Sequence, residues 1–136
     1  MLRMVLIVLG IFLFQNKAAA VSVDTEEGLK AELQKEEGDN VIEISKNMEM
    51  SGDLGKAGRP ALTIDGGGNL IDGKSHAGFS VGKGQDFSLL NTEMQNFSAL
   101  FGGVVNNQGK METVNGDFSV NSAKGSGGVI YLSLIH

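Results

Sequence analysis

The sequence predicts an all-β fold: a parallel solenoid of about four coils, closed at its N-terminal end by one short helix. Three observations predict it. Glycine supplies 20 of the 136 residues against one proline, roughly twice the usual glycine usage, and so calls for many tight turns between short strands. Beyond residue 41 the apolar residues never return to a helical period. Two independent series of short motifs recur at one spacing of 24 to 25 residues, the mark of an internal repeat.

Composition sets the outer bounds. A chain of 136 residues holds one small domain. With no cysteine it has no disulfide framework, no thiolate metal site and no cysteine nucleophile. A net charge of −5 argues against non-specific nucleic-acid binding, which needs a basic surface. A hydrophobic content of 41% supports a packed core and excludes a disordered chain.

Residues 1–20 read as a secretory signal peptide. Arg3 supplies a positive start, residues 4–14 are apolar without interruption, and Ala18-Ala19-Ala20 provides the small residues that a signal peptidase takes. The alternative is a retained anchor, but eleven apolar residues span only about 16 Å as helix, half a bilayer core. Cleavage near Ala20 removes Arg3 and Lys17 and takes the charge from −5 to −7. An exported chain without cysteine suits a bacterial envelope better than a eukaryotic extracellular space.

Residues 21–40 form the expected cap. Asp24 or Thr25 starts a helix, Glu26 and Glu27 suit its positive end, and Gly38 is the expected stop. Leu29 and Leu33 lie four apart on one face. So short a helix needs something to sit on, and the apolar end of a solenoid needs a cover.

Residues 41–136 carry the coils, beginning with the strand Val41-Ile42-Glu43-Ile44. Gly78-Phe79-Ser80-Val81 recurs as Gly103-Val104-Val105-Asn106 and as Gly128-Val129-Ile130-Tyr131. Beside it, Phe87-Ser88-Leu89-Leu90-Asn91 returns as Met111-Glu112-Thr113-Val114-Asn115, and Ser98-Ala99 as Ser122-Ala123. Ala61-Leu62-Thr63-Ile64-Asp65 is an earlier copy, placing Ile64 with Leu90 at a spacing of 26. No copy has room for a crossover helix. Stacking equivalent strands about 4.8 Å apart puts Leu90 on Val114 and Val104 on Val129, which is a parallel β-helix.

Phe118-Ser119-Val120-Asn121 followed by Gly127-Gly128-Val129-Ile130-Tyr131 resembles the repeat of the chlamydial polymorphic membrane proteins and related autotransporter adhesins. That repeat pairs an F-x-x-N element with a G-G-(A)-(I/L/V) element. Gly102-Gly103-Val104-Val105 matches the second element again, with Asn96-Phe97-Ser98 standing where the first belongs. Ala61-Leu62-Thr63-Ile64-Asp65-Gly66 and Asn69-Leu70-Ile71-Asp72-Gly73 also look like the opening of pectin-lyase-like right-handed parallel β-helices. The resemblance implies a passenger displayed on a Gram-negative outer membrane through a C-terminal β-barrel. The chain itself reads as the N-terminal fragment of something longer, because residues 127–132 begin a strand with neither cap nor turn after it.

Candidate chemistry is thin. The acids Asp65, Asp72 and Asp86, with His76 among them, are the candidates a β-helix hydrolase could draw on. Asp65 and Asp72 each precede glycine and read as turn residues, His76 as an exposed loop residue. Asn91, Asn115 and Asn121 read as turn or stacking residues that bond coil to coil. After cleavage Arg59, beside Pro60, is the sole arginine. No H-E-x-x-H, phosphate-binding loop or calcium nonapeptide occurs. The sequence therefore assigns no catalytic, cofactor-binding or metal residues and no cofactor. It leads to an exported adhesin-like β-helix that is not an enzyme and acts by binding or display, its partner a host or matrix surface protein or glycan. Self-association through the open C-terminal coil is expected too. The alternative is a polysaccharide lyase or glycoside hydrolase of the same fold.

Overall fold

A computed structural model of the chain describes residues 19–132. The expected signal peptide lies outside them, apart from Ala19 and Ala20. The described residues form a parallel β-solenoid of four sheets with one helix. Sheet A holds β1 (Ala20–Val23), β2 (Val41–Ile44), β5 (Ala61–Asp65), β8 (Asp86–Leu90) and β12 (Lys110–Val114) in that order. Sheet B stacks β3 (Met48–Glu49), β6 (Leu70–Asp72), β9 (Glu93–Gln95) and β13 (Asp117–Ser119). Sheet C stacks β4 (Gly55–Lys56), β7 (Phe79–Val81), β11 (Val105–Asn107) and β15 (Ile130–Leu132). A two-stranded sheet D pairs β10 (Ser98–Phe101) with β14 (Ser122–Ser126). Every pairing is parallel.

Period-two alternation explains the core. Along β5 and β8 the residues Leu62, Ile64, Phe87 and Leu89 are buried, while their neighbours face outward. Successive coils then stack like on like. One internal column runs Val21, Ile42, Ile64, Leu89, Thr113, and another runs Met48, Ile71, Met94, Phe118. Leu90 stacks beside Val114, and Val104 donates to the Val129 carbonyl at 2.9 Å, both as expected.

Alternation also corrects the alignment at two steps. Ile64 pairs with Leu89, not Leu90, because a one-residue slip would turn the apolar face of β5 to solvent. For the same reason Phe79 pairs with Val105, not Val104, so the spacing at that step is 26 residues. This register brings Asn107 inside beneath Val81; it is 2% exposed and closes its own turn by bonding Gly109. Met94 occupies the place of Phe118, and the Asn121 carboxamide oxygen accepts from the Phe97 amide at 2.9 Å. Asn96-Phe97-Ser98 is therefore not the upstream F-x-x-N copy.

The glycines of these pairs answer to backbone conformation and to close packing. Gly102 and Gly127 hold positive φ angles of 57° and 68°, a region that costs other residues a Cβ clash. A Cβ on Gly103 would stand 2.6 Å from the Ser122 carbonyl oxygen, so this position needs the bare backbone for close packing of coils.

The helix α1 (Glu26–Gln34) follows β1, a strand the sequence reading missed, and the two add a further turn to the expected four. Thr25 is its N-cap, the hydroxyl accepting from the Gly28 amide at 3.0 Å. Leu29 and Leu33 are fully buried against the first coils, as expected of a cap. The helix stops at Gln34 rather than near Gly38, because tertiary groups take its last carbonyls. The Gly58 amide donates to Leu33 O at 2.9 Å, and Arg59 Nη1 donates to Glu32 O at 2.7 Å.

Candidate functional site

The solenoid separates the acids that the sequence reading considered together. Asp86 opens β8 beside Ala61, whereas Asp65 closes β5. Four residue steps along the strand, about 13 Å, separate those two positions. Asp65 accepts from the Gly67 amide at 3.0 Å and from the Asn91 side chain at 3.4 Å. Asn115 Nδ2 in turn donates to Asn91 Oδ1 at 3.1 Å, so Asp65, Asn91 and Asn115 form one ladder across three coils. Asn91 and Asn115 take left-handed backbone angles, φ 52° and 56°, at the turn from sheet A to sheet B. Asparagine tolerates that conformation better than most residues.

Asp72 is the most enclosed of the acids, with 12% of its side chain exposed. Its Oδ1 accepts from the Lys74 amide at 3.0 Å and from Asn96 Nδ2 at 3.1 Å, and Gln95 Nε2 reaches Oδ2 at 3.4 Å. Burial pushes this carboxyl up, but those three donors and the Lys74 charge outweigh it and hold it below the usual aspartate range. Register sets Asp72 beside Glu49 on the next coil, with Lys74 Nζ 3.7 Å from the first and 3.5 Å from the second. Their groove, about 450 Å³, is lined also by Asn47, Met48 and Leu70. This is the pair of carboxylates on adjacent coils that a hydrolase would use, and the 23-residue spacing is the signal that could have found it. Asp72 itself is unsuited to the acid role, which needs a carboxyl raised toward neutrality. Asp72 is shifted the opposite way.

His76 stands at the edge of a second groove, its Nδ1 3.9 Å from Asp53 Oδ1. Asp53 fixes the local backbone by accepting from the Ala77 amide at 2.9 Å. This groove, about 370 Å³, lies between β10 and the outer face of sheet C, with Ser80 and Asn106 from the sheet and Leu100 and Phe101 from β10. It is at the small end for ligand sites. Asn106 Oδ1 is buried there without a hydrogen-bond partner. The Phe101 and Tyr131 rings meet at 4.8 Å, with Tyr131 next to Asn106 in register. Hydroxyl, carboxamide, carboxylate and aromatic ring together suit non-covalent recognition of a polar ligand. Asn106 was visible in the sequence only as a repeat position, and Phe101 carried no signal, because β10 leaves the coil path through an irregular register.

Arg59 lies in the loop between β4 and β5, as expected, with its side chain buried against the cap helix. It is 3% exposed, and its Nη2 lies 3.2 Å from Glu32 Oε1. Among the described residues no three His, Cys, Asp or Glu side chains are grouped to hold a metal ion. No helix among them is long and apolar enough to cross a membrane. Comparison with known proteins gives no match among family models, curated proteins or solved structures.

Proposed function

We propose that the chain is the N-terminal part of an exported, surface-displayed adhesin-like β-helix that works by binding along its side rather than by catalysis. The observation that supports this best is the occupation of the acids. Asp65 and Asp72 are held by backbone amides and amide side chains from neighbouring coils, and Asp72 is kept ionised. Groups committed to coil stacking are poorly placed to cycle protons. The recurrence of outward side chains every 24 or 25 residues gives a regular polar face, the kind of extended surface that solenoids use for recognition. The apolar run before Ala18-Ala19-Ala20 favours export, and the F-x-x-N and G-G-V-I resemblance favours an outer-membrane passenger.

The test sets binding against turnover. The chain should be retained on an array of immobilised matrix proteins and host glycans, and Phe101→Ala should weaken that retention. It should release nothing from polygalacturonate. Unsaturated or reducing-end sugar produced from that polymer, and lost in Asp72→Asn, would overturn the reading in favour of a polysaccharide lyase or hydrolase.

A further inference from the structure

The connection from sheet B to sheet C lengthens along the solenoid. It has five residues between β3 and β4 (50–54) and six between β6 and β7 (73–78). It then has nine between β9 and β11 (96–104) and ten between β13 and β15 (120–129). The two long connections have room for β10 and β14, which pair with each other as sheet D. The short ones carry no such strand, so β10 stands as a ledge over the coils before it. At the step Ser98 N donates to His76 O at 2.9 Å, and the two chains meet again where Gly78 N donates to Gly103 O at 3.0 Å. The groove of about 370 Å³ opens between those two bonds.

Alternation settles its floor. Phe79 and Val105 turn inward, so Ser80 and Asn106, adjacent in register, turn outward beneath the ledge. The wall is apolar. Leu100 is 60% exposed along β10, and Phe101 is braced by Tyr131. Asp53 stands at the rim with 68% of its side chain exposed. Among the described residues no Lys or Arg lines the groove.

We propose that this groove holds one uncharged sugar residue at the end of a glycan. Its hydroxyls bond Asp53, Ser80 and Asn106, and its C–H face lies on Leu100 and Phe101. The inference rests on the binding role proposed above and names the ligand class. Asn106 Oδ1 is an acceptor that the fold leaves without a donor, and a turn about χ2, soft in asparagine, presents it to a ring hydroxyl. A purely apolar ligand would leave the polar groups of the floor without partners. A uronate or sialate would bring a second negative charge to Asp53 with no lining cation to meet it, in a chain of net charge −5. A lysine side chain would satisfy Asp53 at the rim but lay its apolar stem on Ser80 and Asn106. A volume at the small end for ligand sites suits a chain end rather than the middle of a polymer.

The test presents the full chain with immobilised neutral oligosaccharides ending in mannose, galactose, glucose or N-acetylglucosamine. Polygalacturonate, sialylated glycans and matrix proteins stand beside them. Retention is expected on at least one neutral terminus, reversed by the same free monosaccharide, and on none of the acidic carbohydrates. Ser80→Trp sets an indole on the floor from an outward strand position. It should abolish that retention with the circular dichroism spectrum unchanged. Should that variant misfold, Leu100→Ala decides alone, since its exposed side chain can be trimmed without opening the core. Loss of that wall should weaken retention roughly tenfold. Retention on matrix proteins or acidic glycans alone, or neutral-sugar retention untouched by Leu100→Ala, would overturn the groove assignment and leave the binding role standing. Retention on no surface at all would overturn both.

Discussion

Arg59→Ala should detach the cap. The guanidinium is 3% exposed and donates to Glu32 O at 2.7 Å and to the Glu32 carboxylate at 3.2 Å. Two hydrogen bonds of that charged kind, at about 1.5–3 kcal/mol each, set a ceiling of about 6 kcal/mol. Three facts lower it. Burying the charge already costs free energy, its Nε has no partner, and Lys35 remains beside Glu32 after the substitution. A net loss of about 2–3 kcal/mol follows. Because a nine-residue helix does not hold alone, the loss should appear first as exposure of Leu29 and Leu33. Urea unfolding followed by circular dichroism measures it as a lower midpoint, and amide exchange should quicken over residues 26–34 before the rest. Lys35→Ala is the control. Its side chain is 53% exposed, and such surface pairs contribute about 0–1 kcal/mol. An Arg59→Ala midpoint no lower than that of Lys35→Ala would refute the reasoning that Arg59 fastens the helix.

Other outcomes follow from the same contacts. Burial pushes the Glu26 carboxyl up, but hydrogen bonds from Lys30 and from the Ser51 amide and hydroxyl carry it down to about 2. Its stabilisation is therefore present above about pH 4.5 and disappears as pH falls toward about 2. Acid titration should show that loss, and Glu26→Gln should flatten it. Leu33→Ala should cost about 2–5 kcal/mol in urea unfolding, since the side chain is fully buried. Asn91→Ala should cost about 1–2 kcal/mol through its left-handed backbone and its ladder bonds, and Asn91→Gly less. Chelators should leave the melting temperature unchanged, because the coils close through amides and apolar columns. Exported protein should begin at Val21, which N-terminal sequencing reads directly.

The repeat was legible because stacking in parallel writes itself as spacing. Phe87 to Asn91 and Met111 to Asn115 match residue for residue in the register, and Ser98-Ala99 lies beside Ser122-Ala123 as the spacing requires. Matching by turn residues failed where turns differ in length. Asp65 resembles Asn91 chemically, but a glycine-rich loop follows Asp65 while a single left-handed residue ends β8. Inward alternation, read strictly, would have set Ile64 on Leu89. The strand β1 was hidden because Ala20–Val23 sits where a leader ends and is too short to show a period. The cap's dependence on Arg59 was hidden for another reason. Residues 27 apart have no local signature, and a lone arginine beside proline reads as loop. The same holds for Phe101 with Tyr131, a contact that exists only once the coils are wound, whereas the spacing of Glu49 and Asp72 could have been read from the repeat.

Coil register is the centre of the account, and paired cysteines measure it most directly. Thr63 and Ser88 face outward on adjacent coils in register, with Cα atoms about 4.8 Å apart, inside the disulfide range. The double variant Thr63→Cys/Ser88→Cys should close an intramolecular disulfide under mild oxidation, seen by mass as the loss of two hydrogens from a monomeric chain. Thr63→Cys/Leu89→Cys, one residue out of step with its second cysteine turned inward, should keep both thiols free. Closure of the second pair and not the first would contradict the register, and closure of neither would contradict the parallel solenoid itself.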